Sequence, residues 1–381
     1  MPFYYSLNDQ TTEEAQRIAT NLLRLRESLK QEIPEKSVDE RLLLCTWNIR
    51  EFESGKYGPR LDESLFYIAE IISRFDLVAI QEVKSDLTSF DRVMHLLGGY
   101  WKYVITDVTL GTAGNDERIA FVFDSRKVNF GGLAGEVVLP ATDRIDGDKD
   151  FSRTPFVTGW KSGWFKFLLC SVHVFYGKAK ADDPRRIAEI DLIAKHFASQ
   201  AKKAKNARTK AEILKTGIWS NNVILLGDFN IFQRTDATFQ ALEKHGFEMP
   251  ATHMTNLGQN KHFDQIAFLP REHGGGVELA DIFGEDKRPS SGVFRFFDHV
   301  FRDEDEARYE PVMVEEKART NSKSKNPWKY KDWRTHQMSD HLPLWIELQT
   351  DFADIYLNNV KDAPAREKPA GANKAPSQAG S

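Results

Sequence analysis

The sequence predicts an α/β fold resting on a mixed β-sheet, or on two sheets packed together, and three observations carry that expectation. The chain has 381 residues, which at roughly 150 per domain suggests about two domains or one large domain with extensions. Apolar runs of strand length alternate with helical patterns along most of it. Between residues 101 and 175 the alternation lapses and strand-like runs follow one another, unlike a doubly wound parallel sheet.

Composition narrows the class. Hydrophobic residues make up 41% and aromatics 12%, enough to bury a core. Lys plus Arg number 52 against 56 Asp plus Glu, a formal charge of -4 that excludes a histone-like polycation but allows a local basic face. Cys45 and Cys170 sit in the apolar runs LLLCTW and FLLCSV, where a thiol packs as a small hydrophobe. They make no disulfide framework and no CxxC metal signature. No apolar stretch approaches the roughly 18 residues needed to span a bilayer. The start, MPFYYSLNDQTTEE, lacks the apolar segment of a secretory peptide, so a cytoplasmic, thiol-reduced protein is expected.

From Thr11 to Gln31, Ala15, Ile18, Leu22, Leu25 and Leu29 recur at spacings of three and four, with Thr11 or Thr12 able to cap the start. This amphipathic helix could dock on the body, act as a lid or mediate self-association; docking is the preferred reading. Then come the strand RLLLCTWNI, a helix over Leu61 to Arg74, the strand DLVAIQEV, a helix near Leu87 to Leu97, and the strands YWKYVIT and RIAFVFD. A Gly-rich turn leads to EVVLP, TPFVTGW and FKFLLCSVHVF. A long helix from Pro184 carries Ile187, Ile190 and Ile193 on one stripe and continues into the basic QAKKAKNARTKAEILK, read as a solvated face in preference to a nucleic-acid contact. NNVILLGDFNIF, FDQIAFLP and LPLWIEL complete the strands. A second basic stretch, Lys317 to Arg334, interleaves Trp328, Tyr330 and Trp333; it suits either a phosphate-and-base surface or a soluble connection. The end, DAPAREKPAGANKAPSQAGS, is expected to be disordered.

Several strands end in a polar group directly after an apolar run: Asn48 in LCTWN, Glu82 in LVAIQE, His173 in LLCSVH, Asp228 and Asn230 in VILLGDFN. Each alone has a plain structural explanation, as turn former, helix-start charge or satisfied core histidine. Burying them unpaired would cost several kcal/mol each, and together they point to a hard-cation site lined by oxygen ligands. Asp264 opens FDQIAF, and Asp340-His341 precede LPLWIEL. Adjacent residues on an extended chain point to opposite sides, so that pair can offer one metal ligand and one base. An imidazole that takes a proton from water works best with a carboxylate behind it, and Asp264 is the candidate partner for His341.

TWNIREF, AIQEV, DERIAFVFDS, SVHV, LLGDFNIF, FDQIAF and SDHLPLW, in this order, resemble the motif series of the endonuclease/exonuclease/phosphatase superfamily, most closely its deoxyribonuclease I branch, over roughly residues 42 to 348. The resemblance implies a four-layer sandwich of two mixed β-sheets flanked by helices, spanning residues 41–350. Residues 1–40 are then a helical extension and 351–381 a mostly disordered tail. It implies that Asn48, Glu82 and Asp340 are metal-site residues, with Glu82 the main carboxylate. Glu117 orients His173, Asp228 and Asn230 sit at the centre, Asp264 backs His341, and Arg153 contacts a backbone phosphate. It further implies a magnesium-dependent, or manganese-dependent, phosphodiesterase. In that reading His341 orients or deprotonates the water, and Asn230 and His173 stabilise the pentacovalent oxygens. The expected substrate is nucleic acid, with DNA the expected form. A sphingomyelinase-like enzyme acting on a lipid or small phosphodiester, and a non-catalytic binding module, are the alternatives.

Overall fold

A computed structural model describes residues 2–53, 58–109, 116–138, 145, 150–206, 222–270, 289–320 and 327–362. Among these residues the first sheet contains β1 (Arg41–Phe52), β2 (Leu77–Lys84), β3 (Trp101–Ile105), β4 (Glu117–Asp124), β10 (Ser291–Val293) and β11 (Leu344–Gln349), in the order β10-β11-β1-β2-β4-β3. The second contains β5 (Asn129–Glu136), β6 (Phe156–Ser162), β7 (Phe165–His173), β8 (Val223–Asp228) and β9 (Asp264–Phe268), in sequence order. Each sheet mixes one parallel pair, β1 with β2 and β7 with β8, with antiparallel neighbours.

Strand periodicity of two explains how the sheets stack. On β1, Leu42 and Leu44 enter one apolar cluster with Phe167, Leu169, Ile224 and Leu226 of the second sheet. Leu43, Cys45, Trp47 and Ile49 enter another cluster, formed with the helices α1 (Thr12–Glu32), α2 (Asp62–Ser73), α3 (Thr88–Leu97), α6 (Glu306–Arg319) and α7 (Tyr330–Gln337). Leu168, Cys170 and Val172 of β7 face a third cluster, built with α4 (Pro184–Asn206) and α5 (Ala237–Glu243). The result is helix, sheet, sheet, helix, the four-layer sandwich expected. Both cysteines are free and buried.

Helix α1 starts in a capping box in which Thr11 and Glu14 satisfy each other's backbone N–H groups. Its stripe of Ile18, Leu22, Leu25 and Leu29 is buried in the core, and Arg17 and Arg26 pair with Glu63 and Glu70 of α2 at 2.6 and 2.9 Å. The apolar stripe is therefore already covered within the chain. Helix α8 (Ala353–Lys361) follows β11, so the segment expected as a tail begins with ordered structure; residues 363–381 lie outside the described residues.

One other expectation is corrected, and one open alternative is narrowed. The Gly-rich segment expected as a turn is the edge strand β5, and of EVVLP only Glu136 belongs to it. A side chain on Gly131 would stand 3.2 Å from the Gly159 carbonyl oxygen, so glycine there permits close strand approach, and the register shifts between Phe130 and Ala134 as at a bulge. Of the rings in the second basic stretch, Tyr330 and Trp333 are closed off from any stacking surface. Tyr330 is 1% and Trp333 0% exposed, both packed against Tyr309 in the first core, because α7 turns its aromatic face inward. Residues 321–326 of that stretch, and 207–221 of the basic continuation of α4, lie outside the described residues.

Candidate metal-dependent active site

Topology gathers the polar strand ends on one edge. The parallel strands β1, β2, β7 and β8 deliver Asn48, Glu82, His173 and Asp228 at or near their C-terminal ends, while the antiparallel β4, β9 and β11 deliver Glu117, Asp264 and His341 at or just before their starts. Within the second sheet His173, Asp228 and Asp264 stand in register, one beside the next. Opposite strand directions and opposite strand ends therefore meet at the same rim.

Local backbone irregularity aims the side chains. The β1–β2 pairing shifts between Asn48 and Phe52, and the β2–β4 pairing between Ile80 and Val83, so bulges flank Glu82. Glu82 has φ 64° and Asn230 φ 53°, left-handed values that are rare outside glycine and that cluster at functional sites. Gly227 has φ 126°, and a Cβ there would lie 2.1 Å from the Val172 carbonyl oxygen. Only glycine lets β8 approach β7 closely enough to set Asp228 beside His173.

The two sheets are also tied by polar groups. Gln81 donates to Ser171 Oγ at 2.9 Å and to Thr46 Oγ1 at 3.1 Å, all three fully buried. Asn48 Nδ2 donates to Glu82 Oε1 at 2.9 Å and across the sandwich to Asp228 Oδ2 at 3.1 Å. Glu82 Oε2 accepts from the Glu51 backbone N–H at 2.8 Å. Gln81 was missed by sequence reasoning; a glutamine inside the apolar run AIQEV was the available signal.

Each imidazole is backed by its own carboxylate. His341 Nδ1 lies 2.8 Å from Asp264 Oδ2, and His173 Nδ1 lies 2.8 Å from Glu117 Oε2. Their Nε2 atoms both turn toward Asp228 Oδ2, at 3.8 Å from His341 and 3.5 Å from His173. Burial alone would lower the pKa of His341, but the charges of Asp264, Asp228 and Asp340 outweigh it and hold the imidazole well above its ordinary value. Asp228 Oδ1 accepts from the Asn230 backbone N–H at 2.9 Å, and one amide hydrogen of Asn230 is committed to the Val174 carbonyl at 2.8 Å.

The remaining residues ring the same cleft of about 590 Å³, whose lining includes Glu82, Glu117, Arg153, His173, Asp228, Asn230, Asp340 and His341. Asn48 and Asp264 lie beneath it through the contacts above. Asp340 is half exposed and sits 3.7 Å from Arg50 Nε. Arg153 faces Glu117 at 3.2 Å, and Lys84, which sequence reasoning did not single out, faces it at 3.3 Å. All ten sequence-derived residues thus come together.

Glu117 carries a stability consequence. Burial raises its pKa, but His173, Arg153 and Lys84 outweigh that and hold it far below its ordinary 4.5. A carboxylate depressed in this way contributes stability above pH 4.5 and loses it as the pH falls toward the folded-state value. Glu117→Gln is expected to destabilise the protein by about 3–5 kcal/mol at pH 7, the usual cost of breaking a buried pair. The difference from wild type should narrow below pH 4.5. Urea titrations at a series of pH values read this directly, and a pH-independent difference would contradict it.

The residues fit a hard divalent cation. Oxygen donors dominate the rim, and Asn48 Oδ1, buried beside Glu82 and Asp228, has no hydrogen-bond partner among the described residues. Glu82, Glu117 and His173 form one cluster of close potential ligand atoms, and Asp228, Asp264 and His341 another.

No family model matches the chain. It is similar to deoxyribonuclease-1 of Bos taurus, 28% identical over 238 residues that cover 55% of this chain and 73% of that protein. Among solved structures it is similar to an endonuclease/exonuclease/phosphatase family protein from Bacteroides thetaiotaomicron, with 16% identity, 83% of this chain and 97% of the other covered, and a TM-score of 0.47. It is also similar to the human Nocturnin catalytic domain with bound sulfate, with 12% identity, 81% and 93% covered, and a TM-score of 0.46. The four-layer sandwich and its polar rim are the arrangement that the motif series leads one to expect. The likeness in sequence is to deoxyribonuclease-1.

Proposed function

We propose that the protein is a magnesium-dependent phosphodiesterase that hydrolyses DNA. The observation that carries this reading is the pair of carboxylate-backed imidazoles converging on Asp228 beside the oxygen donors Glu82 and Asn48. The similarity to deoxyribonuclease-1 supports the choice of substrate. Among the described residues no helix is long and apolar enough to cross a membrane.

A phosphodiester is a shielded anion, so attack by water needs positive charge at the non-bridging oxygens and a positioned nucleophile. Magnesium, for which manganese can substitute, would be held by Glu82, Asn48 and Asp340 and would supply that charge. Asp264 accepts the Nδ1 proton of His341 and leaves Nε2 toward the cleft, where it orients and deprotonates the attacking water. The carboxylates that raise the proton affinity of this imidazole make it a stronger base whenever it is neutral. As the imidazolium, with Nδ1 held by Glu117, His173 donates from Nε2 to a phosphoryl oxygen, and the second amide hydrogen of Asn230 can do the same. Arg153, lining the cleft behind Glu117, offers its guanidinium to a neighbouring phosphate.

Supercoiled plasmid and oligonucleotide DNA are expected to be cut with magnesium, to survive in EDTA, and to be cut again when magnesium is restored. Equal cutting in EDTA would overturn the metal dependence. Hydrolysis of a lipid or small phosphodiester with both DNA forms left intact would overturn the substrate.

A further inference from the structure

One wall of the active-site cleft is aromatic in a way that the hydrolytic step does not need. The ring of Phe263 stacks on His341, with centroids 5.4 Å apart and planes at 28°. Phe232 and Tyr176 meet Phe263 edge-on at 5.5 and 6.3 Å, and Tyr176 lies 6.2 Å from Phe232. Tyr176 lines the cleft together with His173, Asp228 and His341, yet it is 38% exposed. A large ring left half open beside buried catalytic groups offers a face to something in the cleft.

The ring is also held in place. Arg186 is 0% exposed, and its guanidinium donates to the carbonyls of Phe175, Tyr176, Lys180 and Ala181, which fixes the segment that carries Tyr176. The same cation lies 5.7 Å from the Tyr176 ring and 5.1 Å from Phe232. Lys261 lies 4.0 Å over Phe232, and Lys178 and Lys180 are exposed on the Tyr176 segment. Rigid rings bordered by cations suit a ligand with a flat π-face and a phosphate on either side, the chemistry of a nucleotide.

We propose that Tyr176, supported by Phe263 and Phe232, is a shelf on which an unpaired nucleobase next to the scissile phosphate stacks, so that the enzyme prefers single-stranded nucleic acid to duplex. The proposal rests on the nuclease reading above and adds to it the state of the substrate. Inside a duplex both faces of a base are covered by its neighbours. A base can reach the shelf only when it leaves that stack, and an already single strand does so at the lowest cost. Tyr176 is a specificity-determining residue and takes no part in the proton transfer at His341 or in the hydrogen bond from His173.

The test is binding by the metal-free protein, where no cleavage interferes. An oligonucleotide carrying 2-aminopurine, whose fluorescence is quenched by stacking, is titrated as a single strand and as a duplex against wild type, Tyr176→Phe and Tyr176→Leu. Wild type and Tyr176→Phe are expected to quench the single strand with similar affinity. Tyr176→Leu is expected to lose the quench and about 5- to 150-fold in single-strand affinity, the worth of one aromatic stack, with little change on duplex. Cleavage assays with magnesium should show the same split in KM, with kcat on duplex preserved. Retained quenching by Tyr176→Leu, or an equal loss on single strand and duplex, would overturn the shelf while leaving the nuclease reading intact. Failure of wild type to bind or cut any oligonucleotide would overturn both.

Discussion

Replacing His341 with alanine is expected to lower hydrolysis of DNA by about three orders of magnitude, within the range for loss of a general base. The chain should remain folded. His341 is 8% exposed, but it lies at the rim, where its side chain meets the Asp264 and Asp228 carboxylates and the Phe263 ring, outside the three apolar clusters. Asp264→Asn keeps the shape and removes the acceptor that selects the tautomer, so a loss of about 100-fold or more is expected from the wrong nitrogen carrying the proton. Because the two residues act as a unit, the double variant should be little worse than His341→Ala alone. Steady-state rates on a defined oligonucleotide, with urea midpoints to confirm folding, decide it; near-wild-type turnover by His341→Ala would remove the residue from the mechanism.

The strand ends made most of this site legible in the sequence. Asn48, Glu82, His173 and Asp228 each terminate an apolar run that has no structural use for them, and the topology brings those ends to one rim. Asp264 behind His341 followed from the need of an imidazole for a carboxylate, and the 2.8 Å contact is the geometry that need implies. What stayed hidden depends on neighbours distant in sequence. Nothing local shows that Gln81 meets Ser171 across the sandwich, or that Lys84 shares Glu117 with Arg153. Trp333 beside cations reads as a surface ring until the packing of α7 on Tyr309 is known. The Gly-rich β5 failed for a related reason. Its strand character comes from pairing with β6, a tertiary effect that overrides a weak local propensity.

Asp228 is expected to be the most sensitive position of all. It is 2% exposed, accepts from the Asn48 side chain and the Asn230 backbone, and lies within 4 Å of both imidazole Nε2 atoms. Removing its carboxylate therefore disturbs both halves of the site at once. It frees the Asn48 amide that bridges the sheets, and it takes away one of the charges that keep the His341 proton affinity high. Asp228→Ala is expected to cut turnover by about four orders of magnitude, comparable to dismantling a whole catalytic unit. Asp228→Asn, which preserves size, should rescue folding but not rate. It should also bring the His341 pKa down, which NMR titration of the imidazole protons can follow in the metal-free protein. Strict multiplicativity in Asp228→Asn/His341→Ala, each change costing its full factor in the presence of the other, would mean that the two groups work independently and that their convergence at the rim is incidental.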